Sequence, residues 1–524
     1  MSTRTDVPDL DDSTRALRRL HWPNLLDRHA FQDSAGAALR WLGSTITWRE
    51  FADAASRFAA ALHASGVGRG DRVMLVMMNR PEFLYATIGA HRLGAIVVPV
   101  NFRLVAAELT YVIDDSEPAV VVVDESLAGG VRAALDATTT RPRVIVTGGA
   151  ADSLDSYESF VADHDEHPVV DVDENAAAFI MYTSGTTGRP KGAVLSHLNF
   201  HCNGDTCTQA WTSHLDDITL VATPLFHIGG IGVFTGTMLL GTTVVLQPTG
   251  LFDADATLDL MADEAVTGTF MVPAQWQALC AAQSAAPRDL RLRVLSWGAA
   301  PATEHLLREM AKVFPDAQSV AVFGQTEMSP ITCVLQQEDS LRKLGSVGRP
   351  IPSLATRVVG PGGRDVAPGE VGEIIYRGPT QMLGYWGKPD ATAAAMAGGW
   401  FHSGDLVRVD DEGFVYVVDR SKDLIISGGE NIYCLEVENV LADHPDIVEV
   451  QVIGRADEKW GETPVAVAVL RPGATLRLEE LRSWAGERLA RYKLPTALET
   501  IDELPRNASG KVLKGPLRRQ FGAS

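Results

Sequence analysis

The 524-residue sequence carries a formal net charge of −20, with 46% hydrophobic and 21% charged residues. Its length exceeds the roughly 250–300 residues that one hydrophobic core usually serves, so two or more domains are expected. An acidic surface argues against nucleic acid as a partner, because such binding needs Lys and Arg to neutralise phosphates. The five cysteines are odd in number and form no C-x-x-C pair, which favours a reduced cytoplasmic setting over disulfides or a structural zinc site.

Helix and strand patterns alternate through the first part of the chain. Apolar residues at helical spacing predict a helix over 50–65, and the continuous apolar run at 72–78 predicts a strand buried on both faces. A helix followed by a strand is predicted within 81–100. The same rhythm returns at 118–147 and 267–299, which predicts an α/β fold with mixed, largely parallel sheets.

The segment 218–252 contains no Asp, Glu, Lys or Arg and is long enough to resemble a membrane span. Pro224, Pro248 and many Gly and Thr residues interrupt it, so it is interpreted as buried core with a pocket. The polar N-terminus has no apolar signal core. Cytoplasmic localisation is therefore expected.

After about residue 345 the sequence becomes rich in Gly, Pro and short strand patterns, which predicts a β-rich subdomain ending with a strand at 413–420. A separate α+β unit follows. Its predicted parts are a loop-rich segment at 421–433, helices at 435–445 and 478–492, and strands at 448–457 and 463–470. The predicted domains are 1–421 and 422–524, with the boundary at Ser421–Lys422.

Residues 181–192, MYTSGTTGRPKG, combine glycines, hydroxyl side chains and one lysine, directly after an apolar run that predicts a strand. Consecutive backbone N–H groups in such a turn can bind phosphate. The stretch differs from the common nucleotide loop G-x-x-x-x-G-K-[ST]. A solvated Ser/Thr/Gly turn is the alternative interpretation.

The stretch resembles the phosphate-loop signature of the adenylate-forming enzymes, which include acyl-CoA synthetases, luciferases and peptide-synthetase adenylation domains. Further motifs occur in the order found in that superfamily: PLFHIGG (224–230), WGAAP (297–301), FGQTE (323–327), HSGDL (402–406), VDRSKDLIISGGENI (418–432) and PRNASGKVLK (505–514). The resemblance covers nearly the whole chain and extends to mycobacterial FadD-type fatty-acid–CoA ligases. It implies a large AMP-binding domain joined by a hinge to a small, mobile C-terminal domain.

The resemblance implies ATP-dependent activation of a fatty acid to acyl-AMP with release of pyrophosphate, followed by transfer to coenzyme A. Mg²⁺ would accompany ATP. One alternative is a fatty acyl-AMP ligase that passes the acyl group to a carrier protein. Another is a nucleotide-binding protein without turnover, which the presence of Lys511, Glu327 and Asp405 disfavours.

The resemblance also assigns the nucleotide contacts. The β- and γ-phosphates would be held by Thr183, Ser184, Gly185, Thr186, Thr187, Gly188 and Lys191. The adenine site would comprise Gly298, Ala299, Ala300 and Phe323, with Gly324, Gln325 and Thr326 as further ATP/AMP contacts. Phe323 stands where the family usually has Tyr and keeps the stacking face. Ribose and phosphate contacts would come from Asp405, Val417 and Arg420. For Asp405 and Arg420 an ordinary ion pair is the alternative.

Catalytic roles follow from the same comparison. Glu327 and Thr183 match the magnesium ligands, and a single carboxylate suits a hard ion that also binds phosphates. Lys511 matches the lysine that contacts the α-phosphate and the acyl carboxylate during adenylation. Lys422 matches the hinge. The passage for the CoA thiol would be formed by Ser427, Gly428, Gly429, Glu430 and Asn431, for which a simple β-turn is the alternative.

The uncharged segment supplies much of the expected acyl pocket. His227 lies between the acyl and CoA sites by resemblance, and a pocket wall, a core histidine and a proton-transfer group remain alternatives. The candidate walls are Phe226, His227, Ile231, Phe234, Gln275, Trp276, Trp297, Met328 and Ile331. These wall residues include no Lys or Arg, which favours a substrate with an apolar acyl tail. Ile231 stands where some long-chain relatives have a tryptophan gate, so such a gate is not expected. The expected partners are small-molecule substrates, with a monomer or homodimer and transient contact with the inner membrane face left open.

Overall fold

The computed structural model describes residues 11–149, 154–164, 167–183, 189–250, 252–300, 302–421, 423–428, 430–506 and 512–522. The chain divides into two compact units. Unit 1 comprises residues 1–344, 350–354 and 378–394, and unit 2 comprises 345–349, 355–377 and 395–524. The predicted boundary at Ser421–Lys422 stays a prediction, and Lys422 lies outside the described residues.

Helices and strands alternate through the first half of unit 1. In chain order they are α1 (Asp12–Ala16), α2 (Trp22–Gln32), β1 (Ala37–Trp41), β2 (Ser44–Thr47), α3 (Trp48–Ala64), β3 (Arg72–Val76), α4 (Pro81–Arg92), β4 (Ile96–Pro99), α5 (Ala106–Ser116), β5 (Val120–Asp124), α6 (Ala128–Asp136), β6 (Arg143–Thr147), β7 (Asp155–Ser156), α7 (Tyr157–Val161), β8 (Ala177–Thr183) and β9 (Lys191–Ser196).

The alternation continues through the second half of unit 1. Its elements are α8 (His197–Ala210), β10 (Ile218–Val221), α9 (Ile228–Leu240), β11 (Thr243–Leu246), α10 (Ala254–Asp263), β12 (Gly268–Met271), α11 (Pro273–Ala285), β13 (Val294–Gly298), α12 (Glu304–Val313), β14 (Gln318–Gly324), β15 (Ile331–Leu335) and α13 (Gln337–Ser340).

The remaining elements belong mainly to unit 2, apart from β19 and nearly all of α14. They are β16 (Ser346–Pro350), β17 (Ala355–Val359), β18 (Gly372–Arg377), β19 (Gly384–Tyr385), α14 (Pro389–Ala395), β20 (Phe401–Val409), β21 (Val415–Arg420), β22 (Ile425–Ser427), β23 (Glu430–Ile432), α15 (Cys434–Ala442), β24 (Ile447–Asp457), β25 (Gly461–Leu470), α16 (Leu478–Ala485), β26 (Ala497–Thr500) and α17 (Lys514–Phe521).

Two sheets organise unit 1. The first has the order β19-β9-β8-β4-β3-β5-β6-β7 and is parallel from β8 to β7, whereas β8–β9 and β9–β19 are antiparallel. The second runs β15-β14-β13-β12-β10-β11-β1-β2 and is parallel except at its two ends. Its central strands β12 and β13 are buried along their length, because helices cover parallel sheets on both faces. The predicted mixed, largely parallel α/β fold is confirmed.

Unit 2 contains the predicted β-rich part and a small α+β part. Strands β17-β18-β20-β21-β16 form an antiparallel sheet. A second sheet has the order β23-β22-β25-β24, with β26 parallel to β25. Its core includes Val437, Leu441, Val452 and Leu481, which pack α15 and α16 against β24.

Two sequence predictions need correction in unit 2. The loop-rich reading of 421–433 is wrong for its second half, where β22 and β23 form an antiparallel hairpin with Ser427 opposite Glu430. The helix predicted over 478–492 ends at Ala485. Gly486 follows, and glycine costs about 1 kcal/mol relative to alanine inside a helix. Leu489 is buried after this break, so core packing continues without the helix.

The uncharged segment 218–252 forms β10, α9 and β11, and it contains much of the buried apolar surface of this region. Within the described ranges, every helix is too short or too polar to cross a bilayer.

Candidate functional site

The glycine-rich stretch connects two antiparallel strands. Thr183 at the end of β8 pairs with Lys191 at the start of β9. Ser184, Gly185, Thr186, Thr187 and Gly188 lie outside the described residues. The two residues that flank the predicted phosphate loop therefore face each other on paired antiparallel strands.

Glu327 lies close to this hairpin although it is distant in sequence. It belongs to a short 3-10 turn, Thr326–Met328, that follows β14. Its side chain is buried, and its Oε1 accepts a hydrogen bond from the Thr183 hydroxyl at 3.1 Å. The two predicted magnesium ligands are thus in direct contact.

Tyr385 completes this group. Its phenol donates a hydrogen bond to the same Oε1 of Glu327 at 3.1 Å. The Lys191 ammonium lies 5.2 Å from the centroid of the Tyr385 ring, within cation–π range. Burial, followed by the Glu327 carboxylate, raises the pKa of Tyr385 well above its usual value, so the phenol remains a donor.

The predicted adenine residues meet at the carboxyl ends of two parallel strands. Gly298 on β13 pairs with Val322 on β14, which brings Ala299 beside Phe323 at the edge where parallel sheets commonly bind ligands. A Cβ on Gly298 would lie 2.2 Å from the Val322 carbonyl oxygen, so only glycine allows this spacing. Ala299 has a φ of +64°, an unusual backbone conformation for alanine.

The other residues of this motif shape the turn that carries Glu327. A Cβ on Gly324 would lie 1.8 Å from the Pro330 carbonyl oxygen, which explains the glycine. The Gln325 N–H donates to that same oxygen at 2.9 Å. Ala300 is exposed at the end of the strand.

The predicted ribose residues face each other in unit 2. Asp405 on β20 pairs in register with Arg420 on β21, and the Arg420 Nε lies 2.8 Å from the Asp405 Oδ1. Asp405 is 1% exposed, whereas the Arg420 side chain is 34% exposed. Val417 lies on the same strand as Arg420, opposite Val407. Contact between Asp405 and Arg420 is compatible with both a ribose site and an ordinary ion pair.

The predicted CoA passage is the turn between β22 and β23. Gly428 has a φ of +59°, and a Cβ there would lie 2.7 Å from the Trp460 ring. Its N–H donates to the Trp460 carbonyl at 2.7 Å. Ser427, Glu430 and Asn431 flank this turn on the paired strands. Gly429, the hinge candidate Lys422 and Lys511 lie outside the described residues.

His227 has a clear structural role at the start of α9. It is the N-cap residue, and its Nδ1 accepts a hydrogen bond from the Gly229 N–H at 3.0 Å. A ring nitrogen that accepts in this way is unprotonated, so a neutral ring has its proton on Nε2. Its neighbour Phe226 packs edge-to-face on Phe102 at 5.3 Å between centroids.

Several other candidate acyl-pocket residues pack into the core of unit 1. Phe234 is buried against Trp22, and Trp276 is buried with its Nε1 donating to the Ser296 carbonyl at 2.9 Å. Gln275 uses its side-chain oxygen to accept from the Val272 N–H. Ile231, Trp297, Met328 and Ile331 are also buried. Their part in substrate binding stays a prediction.

Sequence reasoning missed Tyr385. It lies in the segment GYWGK, 384–388, within a region noted only for glycine, proline and short strands. Two aromatic residues between glycines are an unusual signal in a turn. Their target could not be read from one sequence, because Tyr385 and Glu327 are 58 residues apart.

Comparisons with known proteins identify the family of the chain. The AMP-binding enzyme family matches residues 26–386, and the AMP-binding enzyme C-terminal domain matches residues 436–511.

Similar proteins of known name include several CoA ligases. A feruloyl-CoA synthase of Amycolatopsis sp. is 40% identical over 508 residues, which cover 96% of this chain and 98% of that protein. An indoleacetate–CoA ligase of Aromatoleum aromaticum is 39% identical, over 94% and 97% of the two chains. The long-chain-fatty-acid–CoA ligase FadD13 of Mycobacterium tuberculosis is 36% identical, over 91% and 94%.

Solved structures are similar over almost the full length. The o-succinylbenzoate CoA synthetase of Bacillus subtilis, in complex with its acyl-adenylate intermediate, has a TM-score of 0.84 and 32% identity, over 95% of this chain and 98% of that chain. The same enzyme has also been solved with ATP and a magnesium ion, with a TM-score of 0.84 and 32% identity, over 94% and 99%.

Proposed function

The chain belongs to the AMP-binding enzyme family of adenylate-forming acyl-CoA ligases, and from that membership we propose that it joins an apolar monocarboxylic acid to coenzyme A using ATP. The reaction would proceed through an acyl-adenylate. A fatty acid is the substrate class predicted from the sequence.

The contact between Thr183 and Glu327, opposite Lys191, is the observation that carries this proposal. It brings a hydroxyl, a carboxylate and a cation to one end of the glycine-rich hairpin. Triphosphate recognition needs this combination, because backbone N–H groups and a lysine bind phosphate oxygens while a carboxylate binds the accompanying cation.

The first half-reaction exchanges one bond to phosphorus for another. An oxygen of the substrate carboxylate attacks the α-phosphorus, the bond from that phosphorus to the bridging oxygen breaks, and pyrophosphate leaves. Both reactants are anionic, so catalysis depends on positioning and on positive charge at the phosphates. Lys191 would hold the leaving group, and Lys511 would contact the phosphorus under attack.

The side chains of Glu327 and Thr183 are suitable ligands for Mg²⁺. Glu327 and Thr183 offer hard oxygen donors, and this ion is commonly bound by one or two carboxylates together with substrate phosphates. Glu327 and Thr183 would therefore hold it beside ATP. When bound, it neutralises charge on the phosphates.

In the second half-reaction the CoA sulfur attacks the acyl carbon, a thioester bond forms, and the bond to AMP breaks as the thiol proton is lost. The turn between β22 and β23 would admit the thiol. The glycine at position 428 supports this role. Because Gly428 has no side chain, only backbone atoms and the Trp460 ring border the turn at this position.

A second substrate class has specific support. Ferulic and indoleacetic acids are aromatic, and the ligases named for them are 40% and 39% identical to this chain. An aromatic acid is therefore the second candidate beside a fatty acid. Both are apolar monocarboxylates, which suits a wall set without Lys or Arg.

The test is a carboxylic acid panel read by AMP, pyrophosphate and CoA-thioester formation. The panel contains medium- and long-chain fatty acids, ferulic acid and indoleacetic acid, each with and without CoA. We expect AMP and pyrophosphate only when an acid is present, and thioester only with CoA. Release of ADP instead of AMP would overturn the proposal. Transfer of the acyl group to a carrier protein but not to CoA would favour the alternative, a fatty acyl-AMP ligase.

A further inference from the structure

The Tyr385 phenol shares one oxygen of the Glu327 carboxylate with Thr183. Both hydroxyls lie 3.1 Å from Oε1, and for Oε2 no hydrogen bond is found within the described residues. A carboxylate held through one oxygen leaves its other oxygen available to a ligand. Such outer contacts orient metal-binding side chains in many proteins.

The two hydroxyls differ in what else they can do. The Thr183 hydroxyl also lies 3.5 Å from the Lys191 carbonyl oxygen, so its proton has a second acceptor. A hydroxyl that binds a cation uses a lone pair and directs its proton elsewhere. Thr183 can therefore leave Glu327 when it becomes a ligand, whereas the Tyr385 phenol has Glu327 as its acceptor.

Tyr385 is held in place through its backbone. β19 pairs with β9, with Tyr385 opposite Ala193, and the Trp386 N–H donates to the Gly192 carbonyl at 2.7 Å. On the other side, the Tyr385 N–H donates to the Thr392 hydroxyl at 2.9 Å. The position of the phenol is thus fixed relative to the strand that follows the phosphate hairpin.

A second network holds the same segment beyond Tyr385. Asp115 at the end of α5 accepts from the Lys388 ammonium at 2.6 Å and from the Tyr182 phenol at 2.8 Å. Its backbone carbonyl accepts from the Trp386 indole at 3.0 Å. Tyr182 immediately precedes Thr183, so Asp115 joins the end of β8 to the segment that carries Tyr385. Rigid support of this kind is what an oriented carboxylate requires.

We propose that Tyr385 is a positioning residue that orients Glu327 for the cation bound with ATP, while its ring supports the Lys191 ammonium. This inference rests on the proposed function, because the cation and the triphosphate belong to it. It assigns to the GYWGK segment a role in metal–nucleotide binding. Tyr385 would act through Glu327 and Lys191 rather than touch the reacting atoms.

The test compares Tyr385→Phe with Tyr157→Phe. Each variant loses one phenolic oxygen, but Tyr157 packs on Phe58 at the start of α7, directly after the strand at the opposite edge of the same sheet. Tyr385→Phe keeps the ring beside Lys191 and removes only the bond to Glu327. Mn²⁺ binding is measured by electron paramagnetic resonance in the presence of α,β-methylene-ATP, which cannot release pyrophosphate. Melting temperature is measured in parallel.

We expect Tyr385→Phe to weaken Mn²⁺ binding by about tenfold or more, as the loss of an outer contact of a metal ligand commonly does, with a melting temperature close to that of Tyr157→Phe. We also expect a higher Mg²⁺ concentration at half-maximal adenylation, with little change in the rate at saturating Mg²⁺. Tyr157→Phe should leave Mn²⁺ affinity within about twofold of the unmodified chain, since its ring is buried against Phe58, far from β19 in the strand order.

Equal Mn²⁺ affinity in Tyr385→Phe and the unmodified chain would overturn this inference and leave the proposed function intact. If the unmodified chain binds Mn²⁺ with the analogue but no acid yields AMP, the proposed function fails while the role of Tyr385 is still decided by the binding data. Absence of metal–nucleotide binding by the unmodified chain would overturn both.

Discussion

The Arg420 guanidinium lies 2.8 Å from the carboxylate of Asp405, across paired strands of one sheet. We expect Asp405→Asn to weaken AMP binding by about ten- to hundredfold, because hydrogen bonds to a charged group contribute about 1.5–3 kcal/mol. Calorimetric titration with AMP measures this. The control is Asp365→Asn, which breaks the exposed Arg357–Asp365 pair of the same unit. Unchanged AMP affinity in Asp405→Asn would identify an ordinary ion pair.

His227 can be tested by keeping its cap and removing its ring. Asparagine is a good N-cap residue, so His227→Asn should retain α9, whereas His227→Ala should lose about 1 kcal/mol of unfolding free energy. We expect His227→Asn to raise the KM for the acid and to leave the pH profile of kcat unchanged. If His227→Asn instead removes one of the pH-dependent slopes of the kcat profile, the histidine transfers a proton in the reaction.

Lys511→Ala should separate the two half-reactions. A charge 4 Å from its partner is worth about 4 kcal/mol at an effective dielectric of 20, roughly a thousandfold in rate. We expect acyl-AMP formation to fall by about that factor, while thioester formation from supplied acyl-AMP and CoA continues. Equal losses in both half-reactions would contradict the assignment of Lys511 to adenylation.

Gly298→Ala should destabilise unit 1. The new Cβ would lie 2.2 Å from the Val322 carbonyl oxygen. This steric clash is removed only if the paired strands β13 and β14 move apart. Such overpacking costs about 1–3 kcal/mol, measurable by urea unfolding. Gly129→Ala is the control, because no atom lies within 4 Å of its new Cβ and the residue is helical. That variant should be neutral or up to about 1 kcal/mol more stable.

A cluster of three buried histidines in unit 1 predicts sensitivity to acid. The rings of His91 and His197 are 4.7 Å apart, and those of His21 and His197 are 5.7 Å apart. Burial lowers the pKa of His21 to about 4, that of His91 to about 3, and that of His197 well below its usual value. The unfolded chain then binds more protons below about pH 6.5, so stability is complete above that pH and is lost as pH falls toward the folded pKa values.

Urea unfolding between about pH 7 and pH 5 measures this loss, which reaches about 1.4 kcal/mol per histidine per pH unit. His197→Gln should reduce the slope by about the contribution of one histidine. The exposed His305 provides the control, since His305→Gln should leave the slope unchanged. An identical slope in all three proteins would show that the buried histidines are not the source.

The sequence was sufficient for the α/β fold because local patterns determine it: apolar runs became β3 and β13, and helical spacing became α3. The resemblance paired Thr183 with Glu327, and the two side chains are in contact. The sequence could not place Tyr385, because β19 pairs with β9 only through a contact between distant segments. The sequence also could not show whether Phe234 and Trp276 belong to the hydrophobic core or line a pocket. Phe234 packs against Trp22 and Trp276 against Phe314, and these contacts depend on tertiary packing.

The division of the chain has a consequence for synthesis. Unit 1 takes its last segment, 378–394, from beyond the first parts of unit 2. β9 leaves the ribosome about 190 residues before its neighbour β19, a delay of roughly 10–40 s at 5–20 residues per second. During that interval β9 is an unpaired sheet edge, open to wrong partners. A nascent chain stalled before residue 384 would therefore carry strands β8 and β9 without the strand that borders them.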